Sequence, residues 1–142
     1  MGRGHLTGRL VGQAGRVWGY WLPVTIYAGL IFYFSSLPHP QEYLPPLLEE
    51  LGDKLLHVLE YGVLGILCYR AFRHAAGPWA AGSALFLAIL ASAGYGLTDE
   101  VHQAFVPFRE PDGWDLLADA VGATLAAYGW HRAIEPEAVH HA

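Results

Sequence analysis

Four stretches of the chain are apolar over most of the length that a bilayer crossing needs, about 20 residues, and polar connections separate them. The first, residues 17–36, carries no charge; the others cover 53–72, 78–103 and 114–130. The second and fourth are the weaker spans, because His57 and Glu60 interrupt one and Asp115 and Asp119 interrupt the other. Each is still uncharged over its remainder, 61–69 and 120–130. A soluble four-helix bundle would need a charged stripe on every helix, and the first and third segments have none. The pattern therefore predicts an all-α, polytopic membrane helical bundle with about four transmembrane helices, in one domain spanning 1–142. Residues 38–52, PHPQEYLPPLLEELG, read as a connection whose prolines stop a continuous helix. Leu47, Leu48 and Leu51 there fit either a small interfacial helix or a plain loop contact. The connection at 106–113 is short, which makes the third and fourth helices antiparallel neighbours. Residues 135–142 read as a frayed tail.

Composition supports the membrane class: 54% of the 142 residues are apolar and 15% charged, a balance rare in a soluble domain. Charge distribution gives an orientation. Arg3, Arg9, Arg16, Arg70, Arg73 and Arg132 flank one set of span ends, whereas Lys54 and Arg109 lie at the other set with Asp53, Asp112 and the remaining membrane-level acids. By the positive-inside rule the arginine-rich ends, and with them both termini, are cytoplasmic. The apolar run after the N-terminal arginines is long and lacks a good small-residue cleavage site, so it reads as an uncleaved helix and not a signal peptide. A net charge of −5 without a basic tract argues against nucleic acid as a partner. Cys68 stands alone, so no internal disulfide forms. The sequence carries no signal for oligomeric state.

The polar residues on the spans fall into register, all at the ends read as outward. Asp53, His57 and Glu60 follow i, i+4, i+7 spacing, with Tyr61 flanking them. Tyr95, Asp99, His102 and Gln103 share a face of the third helix, with Glu100 at its edge. Asp112, Asp115, Asp119 and Gly122 form one line on the fourth. A charge at mid-bilayer costs about 2.5–3.5 kcal/mol on insertion scales, so these groups are expected to point inward and meet in one polar pocket. Asp53, Lys54, Arg109 and Asp112, near the interface, suit caps and ion pairs; Glu60, Asp99, His102 and Asp119 lie deeper and point to function. Carboxylates and imidazoles crowded together can relay protons. The same set could hold a divalent cation, with His57, Asp99, His102 and Asp119 as candidate ligands. No nucleophile motif or metalloprotease spacing is present.

Three blocks now stand in order: Asp53-Lys54-x-x-His57-x-x-Glu60-Tyr61, Asp99-Glu100-x-His102-Gln103-x-Phe105 followed by Arg109, and Asp115-x-x-x-Asp119-x-x-Gly122. Together they resemble the VanZ-like family over roughly residues 20 to 130. The resemblance implies a small bacterial multi-pass membrane protein of the kind associated with teicoplanin resistance, and it names no reaction. Two positions depart from the family pattern: Asp119 stands where an Asn is usual, and Pro107-Phe108-Arg109 replaces Pro-Gly-Arg. The added acid favours a bound cation, a protonated carboxyl, or pairing with Arg109 or Lys54.

Two readings follow. In one, the protein is a non-catalytic membrane factor whose outward pocket engages a membrane lipid or lipid-linked amphiphile, such as a cell-wall precursor or a lipoglycopeptide. In the other, it is a membrane-embedded enzyme performing acid–base or metal-assisted hydrolysis or transfer on a lipid headgroup, with Asp99, Glu100 and His102 as the catalytic groups. A proton-coupled transporter fits less well, because the polar groups gather at one side and trace no path across.

Overall fold

The computed structural model describes residues 3–38, 52–109 and 111–134. The small helix or loop contact read into 38–52 and the frayed tail at 135–142 fall almost wholly outside them. The described residues form five helices and no strand: α1 (Arg3–Ser35), α2 (Asp53–Ala75), α3 (Pro78–Gly82), α4 (Ala84–Gln103) and α5 (Gly113–Ile134). The all-α expectation holds, and three element boundaries move. α1 starts at Arg3 and not near residue 17, because no proline stops it and isolated glycines are tolerated in a helix. The third span divides at Ser83, where φ −113° and ψ 16° leave helical geometry. The Ser83 N–H turns back to Ala80 O at 3.1 Å, and α4 starts afresh with the Leu87 N–H on Ser83 O. α5 runs on to Ile134, past the apolar limit at Trp130.

Contacts fix the topology. Arg16 reaches the end of α2 at His74 while Tyr27 meets Glu60, so α1 and α2 are antiparallel. Tyr95 bonds Ala28, and Ser36 bonds His102, so α4 runs parallel to α1. His57 meets Asp119 near the start of α2 and Tyr69 meets His131 near its end, so α5 runs beside α2 in the same direction. The result is an up-down-up-down bundle with α2 at its centre, touching α1, α4 and α5.

Its inside and outside are inverted relative to a water-soluble bundle. Small residues fill the interior: Ala84, Ala88, Ser92 and Gly96 along α4, and Ala118, Gly122, Ala123 and Ala127 along α5. Large apolar side chains face outward, among them Trp18, Ile26, Phe86, Leu90, Leu97, Val101 and Leu125. The largest buried side chains, Tyr61, Tyr69, Ile31 and Leu64, pack around α2. Such a surface is untenable in water and normal in lipid, where helices associate through close backbone approach. At Gly65 a Cβ would sit 2.7 Å from Ala123 O, and at Gly122 it would collide with the Val58 carbonyl. Three helices are long and apolar enough to cross a membrane, over residues 12–35, 54–75 and 84–103. α5 is not among them, since Asp115 and Asp119 at one end and His131 and Arg132 at the other dilute its apolar stretch.

Candidate functional site

The topology brings the start of α2, the end of α4 and the start of α5 to one end of the bundle, and their polar side chains join there into a continuous chain. Lys54 Nζ donates to Asp112 Oδ2 at 2.5 Å and also to Asp115 Oδ1. Asp112 caps α5: its Oδ1 accepts the Trp114 N–H at 2.9 Å, while its own N–H donates to Glu100 Oε2 at 2.7 Å. The Lys54 ammonium, with the Trp114 N–H, holds the Asp112 carboxyl below the usual carboxylate range. Further in, His57 Nε2 lies 3.8 Å from Asp115 Oδ2, and His57 Nδ1 lies 2.9 Å from Asp119 Oδ1. His57, Asp99, Glu100, Gln103, Asp115 and Asp119 are all buried.

Several oxygens in this cluster have no hydrogen-bond partner among the described residues: Asp99 Oδ1, Glu100 Oε1, Asp119 Oδ2 and the Tyr61 hydroxyl. Tyr61 is fully buried, its ring nearly parallel to His57 at 6.5 Å, and the charges of Asp99, Asp119 and Glu60 all act on its hydroxyl. Asp119 Oδ2 lies against Gly96, where a Cβ would come within 2.7 Å of it. A side chain at 96 would crowd that carboxylate. Buried polar groups without partners are costly, and the bundle's own packing does not offset that cost for these four groups.

The expected residues gather at this end with three corrections. First, Asp119 pairs with His57, and not with Arg109 or Lys54, because α5 runs alongside α2 in register. Second, the face of α4 divides. Asp99 accepts from Gln103 Nε2 at 3.1 Å inside the bundle, whereas His102 turns to α1, with Nε2 3.0 Å from Ser36 Oγ and its ring stacked on Phe32 at 4.4 Å. Asp99, Glu100 and His102 thus each hold a different partner, and no hydrogen bond among the described residues joins His102 to either acid. Third, no group of three or more His, Cys, Asp and Glu among the described residues is arranged to hold a metal ion. Of the four proposed ligands only His57 and Asp119 bond each other. Arg109 takes the capping role, donating to Leu37 O at 3.2 Å and Phe34 O at 3.4 Å at the end of α1. Tyr95 likewise ties α4 to α1, its hydroxyl on Ala28 O at 2.6 Å. Glu60 is half-buried, in the field of His57, Asp99, Asp119 and Arg109. Asp53 opens α2. Ser36, Phe32 and Gly96 were not among the expected site residues. Only Gly96 had a signal, as one of the small residues beside the α4 acids.

Phe105, Phe108 and Trp114, on and beside the α4–α5 connection, are 82%, 83% and 69% exposed. Phe108 adopts φ 64°, a left-handed conformation suited to the glycine of the Pro-Gly-Arg pattern. Comparison with curated proteins and with solved structures gives no match. The family model described as VanZ/LLP1 matches residues 20–134, nearly the whole bundle and every acid of the cluster, and the chain belongs to the VanZ/LLP1 family.

Proposed function

We propose that this VanZ/LLP1 membrane protein crosses a bacterial cell membrane four times with both termini in the cytoplasm. Its acidic-end cluster then faces outward and engages the polar head of an amphiphile, such as a lipid-linked cell-wall precursor or a lipoglycopeptide, which links it to teicoplanin resistance. α5 is short of apolar residues, but it pairs with α2 from Asp119 to His131. A crossing by α2 therefore carries α5 with it, and its acids are offset by Lys54 and His57. The arginine-rich ends favour a cytoplasmic location.

The ligand reading is supported by the exposed edge of the cluster. Lys54 and Asp112 are partly exposed there above the buried acids, and Phe105, Phe108 and Trp114 stand beside them. A charged edge beside exposed aromatic rings suits a molecule with a polar head and an apolar part. Sugar hydroxyls, amides and ammonium groups are the donors an acid-rich site lacks. The alternative, an enzyme acting on a lipid headgroup through Asp99, Glu100 and His102, has less geometric support, since these three side chains hold separate partners.

Titration of a lipid-linked wall precursor or a lipoglycopeptide into the protein in lipid nanodiscs tests the reading. Trp114→Ala is expected to weaken binding of the amphiphile about tenfold and leave binding of its detached head group unchanged, whereas Lys54→Gln weakens both. Absence of binding by the wild type would refute the proposal, and turnover that Glu100→Gln abolishes would establish the enzyme reading in its place.

A further inference from the structure

At the end of the bundle away from the acids, α2 carries an arginine that meets aromatic rings from two helices and no hydrogen-bond acceptor. Arg70 lies inside the apolar span 54–75, five residues before its end, which places it roughly 7.5 Å inside at 1.5 Å per residue. Its Cζ is 5.7 Å from the ring centroid of Tyr20 on α1 and 5.7 Å from that of Trp130 on α5. Both distances are within the reach of a cation–π contact, about 6 Å. Tyr20 and Trp130 are half-buried and pack on the core, so three helices together place the guanidinium.

The donors of Arg70 meet no acceptor among the described residues, and no described carboxylate pairs with it. Its neighbours on this end differ: Arg16 donates to His74 O and Arg73 to Ala81 O. The described acids fall at 53–60, 99–100 and 112–119, toward the opposite end. An ionised group at membrane depth is ordinarily paired with another side chain or with a backbone carbonyl. An aromatic face attracts the charge, but it supplies no oxygen lone pairs to the five N–H donors. What Arg70 lacks is an anionic oxygen, and at this level of a bilayer the lipid phosphates provide one. Long cationic side chains near a helix end reach the headgroups, Trp and Tyr mark the interface, and basic sites between membrane helices bind anionic headgroups.

We propose that Arg70, set between α1 and α5 by Tyr20 and Trp130, binds the phosphate of an anionic membrane lipid at the arginine-rich end. A planar guanidinium steadied by aromatic contacts suits a bidentate hold on two phosphate oxygens. The site shares no residue with the acidic end.

Native mass spectrometry in mild detergent, with phosphatidylglycerol and phosphatidylcholine supplied in equal amounts, tests it. The wild type is expected to retain phosphatidylglycerol preferentially, and Arg70→Gln is expected to lower that preference about fivefold, the effect of one charge near the membrane surface. Arg132→Gln removes the same charge from an exposed residue of the same end and is expected to keep most of the preference. Arg70→Lys, which keeps the charge without the planar fork, is expected to lose part of it and serves if the Gln variant does not fold. Lipid retained after incubation with millimolar inorganic phosphate supports a headgroup site, whereas its displacement identifies the free anion as the ligand and overturns the lipid assignment. Equal retention of the two lipids by the wild type, an undiminished preference in either folded Arg70 variant, or equal losses from Gln at 70 and at 132 overturns the site.

Discussion

At the scale of single residues the structure turns on how buried charge is partnered. Asp119 is fully buried and bonded to His57, so Asp119→Ala removes the hydrogen bond at His57 Nδ1. Removing one member of a buried charged pair costs about 3–5 kcal/mol, and thermal unfolding in detergent is expected to show a loss of that order. Asp119→Asn keeps a hydrogen bond to His57 and is expected to lose much less. Asp112 offers a pH-dependent counterpart. Its carboxyl is held below the ordinary value of 3.8 by Lys54, so the contact stabilises the fold at neutral pH and is lost only as pH falls through the depressed value. Carboxyl-carbon NMR is expected to show Asp112 titrating below an ordinary aspartate, and Lys54→Gln is expected to move it back up. At Phe108 a non-glycine side chain occupies φ 64°, a conformation that costs about 1–2 kcal/mol. Phe108→Gly is expected to raise the unfolding temperature in detergent, and a fall would show that relief of backbone strain does not dominate at this position. The residue types of the site were legible in the sequence, because an acid or histidine on an apolar helix stands out against its surroundings. Their pairing was not. His57 and Asp119 are 62 positions apart, and helical spacing says which residues share a face without saying which neighbour the face meets.

At the scale of elements, the α2–α5 contact organises the rest. Val58, Gly62 and Gly65 lie against Gly122, Ala123 and Ala126, and this approach sets the register that delivers His57 to Asp119. Gly122→Ala would drive a methyl into the Val58 carbonyl and is expected to destabilise the bundle by about 1–3 kcal/mol. Gly94→Ala meets nothing within 4 Å, and is expected to leave stability unchanged or raise it by up to about 1 kcal/mol through helix propensity. Equal losses from both substitutions would remove close helix packing as the cause. Helix existence was legible from hydropathy alone, as was the antiparallel pairing of α4 and α5 from their short connection. Helix ends were less so. Hydropathy locates the apolar part of a helix, whereas α1 and α5 continue into the polar residues beyond it, 3–16 and 131–134, where no proline intervenes. The break at Ser83 came from local backbone geometry that the apolar run around it concealed. The division of the α4 face, with Asp99 inward and His102 toward α1, depends on where α1 lies, and nothing in the sequence of α4 reports that.

At the scale of the whole molecule, charge is sorted by end. Arg16, Arg70 and Arg73 gather where α1 and α2 meet, and Asp99, Glu100, Asp112, Asp115 and Asp119 gather at the opposite end. The account depends on those two ends lying on opposite sides of a membrane, with the acidic end outside. Single cysteines introduced at Phe105 and at Trp79, both strongly exposed, report this directly in a background where the buried Cys68 is replaced by alanine. With a membrane-impermeant thiol reagent on intact cells, the account predicts labelling of the Phe105→Cys protein and protection of the Trp79→Cys protein until the cells are opened. The reverse pattern would place the acidic cluster in the cytoplasm and contradict it, and labelling of both from outside would contradict the membrane bundle itself.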